Sequence, residues 1–295
     1  MNYRTDLALE SKQLYDEERG STEDIDGVIM AKIRYDEDIL ATRIEITNQS
    51  GEAALKKPKG NYITLEVDGV VDEKDGIKER ASAALAAELR NLIPFHYALK
   101  VLVVGIGNDK VTPDALGPYT ASKVKVTRHM FLMFEADGDD EVSCVSGFIP
   151  GVTGSTGIET AELIKKAVGL VNPEVVIVID SLAARDLDRI STTIQINDTG
   201  ISPGGGMGNK RTELSKTTLG KRVIAIGVPT VIDSRTLIMD TLGDYSQNPY
   251  EIEQYIEKKG KDMIVTSTDI DQVIKDFSDI IANGINITLH PGIYS

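Results

Sequence analysis

Val101-Leu102-Val103-Val104-Gly105 runs into the polar loop Asn108-Asp109-Lys110-Val111-Thr112-Pro113-Asp114, and Val175-Val176-Ile177-Val178-Ile179 ends on Asp180. Both are continuous apolar runs rich in β-branched residues, the pattern of strands buried on both faces in a parallel sheet. In open α/β sheets, ligands and catalytic groups gather just past the carboxyl ends of such strands. Asp114 and Asp180 therefore stand where chemistry is expected.

Outward from these two runs, the chain after residue 98 alternates strand, loop and helix. Residues 142–148 and 223–228 read as further strands, and 113–128, 156–168 and 233–242 as helices. This predicts an α/β core over 98–295 with a largely parallel sheet flanked by helices. Residues 20–95 have another texture: 27–35, 40–47 and 61–67 alternate apolar with polar residues, as half-exposed antiparallel strands do, and 75–92 is alanine-rich and helical. They read as an α+β lead-in or insertion packed on the main sheet, within one domain spanning 1–295. Amphipathic helices are expected at 250–258 and 269–285.

The 295 residues are 41% hydrophobic, enough to fill a sizeable core. A net charge of −14, from 32 basic and 46 acidic residues, disfavours nucleic acid or an anionic membrane as a partner. No apolar run reaches the length of a membrane span, and Met1-Asn2-Tyr3-Arg4-Thr5-Asp6 lacks the apolar stretch of a secretory signal, so a cytoplasmic location is expected. The lone Cys144 excludes an intrachain disulfide and reads as buried and inert; the scattered His96, His129 and His290 exclude a zinc site of ordinary spacing.

Gly105-Ile106-Gly107 after a strand invites a dinucleotide fingerprint, but Lys110 replaces the third glycine and Pro113 delays the helix. The glycine-rich loop from Asn197 to Arg211 is not a phosphate-binding loop of the Walker type, because Asn209 separates Gly208 from Lys210. Its glycines instead allow close backbone approach, and its end is basic. What remains is the carboxylate pair. Two nearby carboxylates can share a proton, one acting as base toward water and the other as acid, or they can jointly ligate a divalent metal; either use points to hydrolysis. The competing reading is that each acid caps a helix.

Several stretches resemble the germination protease, or spore protease, family of endospore-forming bacteria. They are residues 103–108 with Val111-Thr112-Pro113-Asp114-Ala115-Leu116-Gly117-Pro118, residues 150–160, Ile179-Asp180-Ser181-Leu182-Ala183-Ala184-Arg185, residues 192–201, Gly208-Asn209-Lys210-Arg211 and residues 223–231. Arg4-Thr5-Asp6-Leu7-Ala8 and Met263-Ile264-Val265-Thr266 extend the resemblance over nearly the whole chain. It implies an endopeptidase of the spore core that degrades small acid-soluble spore proteins during germination. It further implies a precursor that processes itself, a homotetramer, and a fold similar to the hydrogenase-maturation peptidases. The family's catalytic acids fall on Asp114 and Asp180. In the maturation peptidases such acids bind metal together with a histidine. No histidine here lies in a loop that would complete the set, His129 being near the end of the helix begun at Pro113, so neither a metal nor another cofactor is expected.

The family cuts after an acidic residue, before a hydrophobic one followed by alanine. Asp6-Leu7-Ala8 has that order near a terminus, where chains are usually mobile, which makes Asp6–Leu7 the candidate activation bond and residues 1–6 the candidate propeptide. An acidic side chain needs a cationic pocket, with Arg185, Lys210 and Arg211 as candidates, and backbone N–H groups around Gly205 and Gly206 could hold an oxyanion. Ser155, Ser181 and Cys144 have no histidine in a recognisable partner motif, which argues against covalent catalysis. A metal-dependent maturation-type peptidase and a non-catalytic anion-binding module are the alternatives.

Overall fold

The computed structural model describes residues 5–19, 24–204, 211–243, 254 and 263–294. The helix expected at 250–258 therefore lies, but for Gln254, outside the described residues. The chain opens with a helix that its sequence pattern does not announce, α1 (Ala8–Arg19), followed by β1 (Val28–Arg34) and β2 (Ile39–Ile46). After α2 (Gln49–Leu55), whose first turn is capped by Asn48 accepting from the Gly51 N–H at 3.0 Å, come β3 (Gly60–Val67) and α3 (Ile77–Leu92). The second part contains β4 (Lys100–Gly105), α4 (Leu116–Lys123), α5 (Arg128–Met133), β5 (Cys144–Phe148), α6 (Thr153–Thr156), α7 (Thr160–Val171) and β6 (Val175–Ala184). It continues with β7 (Thr193–Asn197), α8 (Lys216–Leu219), β8 (Arg222–Asp233), α9 (Ser234–Gly243), β9 (Ile264–Thr266) and α10 (Ile270–Leu289).

The nine strands among the described residues share one sheet, in the order β1-β2-β3-β7-β8-β6-β4-β5 with β9 on β8. The α/β class holds, and the continuous apolar runs do pair in parallel, but only across β8, β6, β4 and β5. The remaining ladders are antiparallel. The N-terminal strands do not pack on the main sheet; they lengthen it, because β3 pairs with β7 and β7 with β8.

Two apolar layers cover the faces. On one, α3 and α10 bury Leu85, Leu89, Phe277, Ile281 and Ile285 against strand residues such as Leu65, Val103, Ile177 and Ile226. On the other, Ile164 and Val168 of α7 and Leu219 of α8 meet Leu102, Val104, Val176 and Val178. Parallel strands need cover on both sides, and these layers supply it.

The helix expected over 113–128 is broken. A 3₁₀ turn (Thr112–Asp114) precedes α4, which stops at Lys123 where Val124 becomes extended. Thr127 then leaves the helical path because its hydroxyl donates to Ser143 O at 2.6 Å and its N–H to Val145 O at 2.9 Å, pinning it to β5. His129 consequently begins α5 and does not end a helix running from Pro113.

Candidate active site

The strand order places a topological switch between β4 and β6: from β4 the chain moves to β5 on one side, then returns to β6 on the other. A crevice opens at such a point. The β4–β6 ladder ends at Gly105 opposite Ile179, extended by the Ile106 N–H donating to Ile179 O at 2.9 Å. Beyond it, β6 continues beside β8 alone, with an irregularity between Leu182 and Ala183. Asp180 is thus the first residue of β6 past the end of β4, inside a longer strand than the apolar run suggests.

The loop carrying Asp114 is drawn over this point by close packing. A Cβ on Gly117 would lie 2.2 Å from Ile106 O and 2.4 Å from Ile179 O, so only glycine lets α4 sit on the two strands here. Gly107, at φ +118°, turns the chain so that the Asn108 N–H donates to Asp114 O at 3.0 Å and to Asp114 Oδ2 at 2.9 Å. The Thr230 hydroxyl of β8 donates to Pro113 O at 2.8 Å and fixes the turn from the other side. Neither acid caps a helix: α4 has no side-chain cap, and the Asp180 carboxyl accepts from the N–H of Ser181 at 2.9 Å.

Asp114, Asp180, Ser181, Leu182, Arg211 and Asp6 line one cavity of about 400 Å³. Asp180 is only 5% exposed, and burial, then the charges of Asp114 and Asp6, push its carboxyl well above the usual range, against the Ser181 N–H and Arg211. Asp114 is raised by burial, with the Asn108 N–H and Arg211 drawing it back down. Asp180 is the deeper of the two, and burial favours its protonated form more strongly than that of Asp114. Two carboxyl groups whose surroundings push their pKa values apart have the character of an acid and base pair.

The other expected site residues divide. Arg211 joins the acids at the cavity; Gly205, Gly206 and Lys210 lie outside the described residues. Arg185 does not face the acids: its guanidinium pairs with Glu17 of α1 at 2.9 Å and with Asp240 of α9 at 3.1 Å, because β6 has passed the crevice five residues earlier. Cys144 is half-buried, and burial pushes its thiol up. Among the described residues no three His, Cys, Asp or Glu side chains form a metal-binding group. His96 pairs with Glu174, and the fully buried His290 bonds the Lys125 carbonyl at 3.0 Å, so neither serves the acids.

Asp6–Leu7 is not the loose terminal segment expected. Leu7 is fully buried among Leu182, Ala184, Ile190 and Ile201. The Asp6 N–H donates to Ala183 O at 3.0 Å, and the Ala183 N–H donates back to Asp6 Oδ2 at 2.9 Å, on the stretch of β6 that β4 leaves uncovered. Glu10 completes the attachment, its buried carboxylate accepting from the N–H groups of Arg185 at 2.9 Å and Asp186 at 3.0 Å and from the Thr5 hydroxyl. Burial raises the Glu10 carboxyl against these hydrogen bonds. Sequence reasoning missed Lys57, whose ammonium donates to Asp6 O at 2.8 Å. In Lys56-Lys57-Pro58-Lys59 nothing distinguishes it from its neighbours.

A mixed α/β fold with a carboxylate pair at a strand switch is an arrangement suited to hydrolysis. The comparisons narrow it: the sequence profile of the germination protease family matches residues 8–253. The germination protease of Clostridium perfringens (strain ATCC 13124) is 41% identical over 98% of this chain and 96% of its own. That of Caldanaerobacter subterraneus subsp. tengcongensis is 42% identical over 99% and 96%, and that of Bacillus cereus (strain G9842) 36% identical over 97% and 93%. Among solved structures, the NiFe hydrogenase maturation protease HycI of Thermococcus kodakarensis KOD1 aligns over 67% of this chain and 98% of its own, at 15% identity and a TM-score of 0.35. The chain belongs to the germination protease family and is a protease of spore germination.

Proposed function

We propose that the protein is an aspartate-dependent endopeptidase that begins the degradation of small acid-soluble spore proteins in the core of the germinating spore. It cuts after an acidic residue and before a hydrophobic one, works as a homotetramer, and is made as a precursor that removes residues 1–6 by cutting its own Asp6–Leu7 bond. The observation that supports this reading best is the meeting of Asp6 with Asp114 and Asp180 in one cavity, next to a Leu7 seated in an apolar pocket. Acid followed by apolar residue is the order expected of a substrate, and here it lies on the open edge of β6 as an added strand would.

In the proposed mechanism Asp114, ionised, takes a proton from the attacking water. Asp180, protonated, hydrogen-bonds the carbonyl or gives its proton to the leaving nitrogen. Arg211 is the cation proposed to attract an acidic substrate side chain, and the amides near Gly205 and Gly206 are proposed to assist the oxyanion. Incubation at mildly acidic pH followed by mass spectrometry tests the reading: the wild type is expected to acquire a Leu7 start, and Asp180→Asn to keep Met1. An active wild type that keeps Met1 would refute self-processing, and full peptide cleavage by Asp180→Asn would refute the acid pair.

A further inference from the structure

The four polar groups around the Asp6–Leu7 peptide are all engaged, by Ala183, Thr5 and Lys57. The Asp6 N–H and side chain are spent on Ala183, as described, and the Leu7 N–H donates to the Thr5 hydroxyl oxygen at 3.0 Å. The carbonyl of Asp6 is met by a cation, the Lys57 ammonium at 2.8 Å. Lys57 reaches it from the turn between α2 and β3, where Lys56 adopts a left-handed conformation at φ 53°. Lys56 and Lys59 are exposed, whereas Lys57 is partly buried and lines a second cavity of about 250 Å³ that shares Asp6 and Leu182 with the first. Burial pulls the ammonium toward its neutral form, and the carboxylates of Asp6 and Glu10 oppose that pull.

A fixed cation on a carbonyl oxygen is the arrangement that stabilises charge developing there during acyl transfer, and it is worth most where water is excluded. We infer that Lys57 is a further catalytic residue, the donor that polarises the carbonyl of the bond to be cut. The inference rests on the reading of Asp6–Leu7 as that bond. Water attacks the Asp6 carbonyl carbon and gives a proton to Asp114, while the carbonyl π pair moves onto oxygen beside the Lys57 ammonium, which donates a hydrogen bond and keeps its proton. Collapse restores the C=O bond and breaks C–N, the electron pair leaving on the Leu7 nitrogen, which takes the proton of Asp180. The products are an Asp6 α-carboxyl group, then ionised, and a Leu7 amine; the proton on Asp114 returns to Asp180 directly or through solvent.

The test compares full-length wild type, Lys57→Met and Lys57→Arg by the first-order rate of loss of residues 1–6, read by mass spectrometry. The processed proteins are then compared for turnover of a free peptide containing Asp-Leu-Ala. Lys57→Met is expected to slow processing by roughly 10²–10³-fold, the usual loss for one oxyanion donor, and to lower kcat on the free peptide similarly with KM changed less than about threefold. Lys57→Arg, which retains a cationic donor, is expected to recover part of both rates. Wild-type kcat on the free peptide in Lys57→Met would overturn the inference, because a residue that merely tethers the precursor segment has no part in turnover of another chain. Should Lys57→Met fold poorly, Lys57→Leu, which also lacks a donor, serves instead, and wild-type rates in it would count equally against the proposal. A wild type that cuts peptides but never its own Asp6–Leu7 bond sinks the underlying reading instead, and the inference with it.

Discussion

The parallel and antiparallel halves of the sheet use their ladders in opposite ways. In the parallel half the strands end at different heights: β4 stops at Gly105 while β6 and β8 run on, and both acids lie at the step so formed. In the antiparallel half the ladders are continuous, with Ile39 to Ile46 of β2 paired against Val67 to Gly60 of β3 without a shift. Several of its buried polar groups are paired as well: Gln195 Nε2 donates to Ile63 O and Ile196 O at 3.1 Å, and Arg43 holds the buried Glu88 at 2.8 Å. The proposed chemistry sits where pairing is interrupted, and cohesion where it is not.

That contrast is most sharply tested at the step itself. Asp114→Asn and Asp180→Asn are each expected to lower peptide cleavage by about 10²–10⁴-fold, with circular dichroism and assembly unchanged. The wild-type rate should follow a bell-shaped pH profile, rising as Asp114 ionises above the ordinary aspartate range and falling as Asp180 loses its proton. A monotonic profile would break the assignment of opposite protonation states.

In the antiparallel half the expected loss is of stability. Leu65→Ala, at a fully buried position on β3, should cost about 2–5 kcal/mol in urea unfolding while activity per folded molecule holds. A large fall in kcat with little change in unfolding would contradict the division.

A smaller effect has the opposite sign. Because the folded-state pKa of Asp180 is raised, its contribution is fully present below the ordinary aspartate range and is lost as pH rises through the raised value. Asp180→Asn lacks this loss, so at neutral pH it should be more stable than the wild type by roughly 0.5–2 kcal/mol, with the gap closing in acid. Unfolding curves at two pH values would show it. Smallest is Arg80→Ala, which removes surface pairs to Asp36 and Asp38 and should change stability by no more than about 1 kcal/mol.

What the sequence discloses follows the same line. The strands β4 and β6 are plain because burial on both faces demands unbroken apolar runs, and the strand-end rule then picks out Asp114 and Asp180. The antiparallel strand β7 is hidden because Thr193 and Gln195 are buried polar residues, and Gln195 has partners, Ile63 and Thr64, far away in the chain. The break after Lys123 depends on Thr127 bonding to β5, and Arg185 is drawn off by Glu17 and Asp240, partners that only folding brings near. Lys57 is a lysine among lysines until the turn at Lys56 aims it inward. Leu7 escapes the rule that termini are loose because an apolar pocket waits for it at the end of β6.

The anchorage of the chain is lopsided about the Asp6–Leu7 bond. On one side, Leu7 is buried, as are Ala8, Leu9 and Glu10, the first residues of α1; on the other, Thr5 and Asp6 are only partly covered. Burial of apolar area, the chief source of folding free energy, therefore lies almost entirely downstream of the bond among the described residues. The proposed cut there would leave the foundation of the first helix in place, and the fold downstream of it would not loosen.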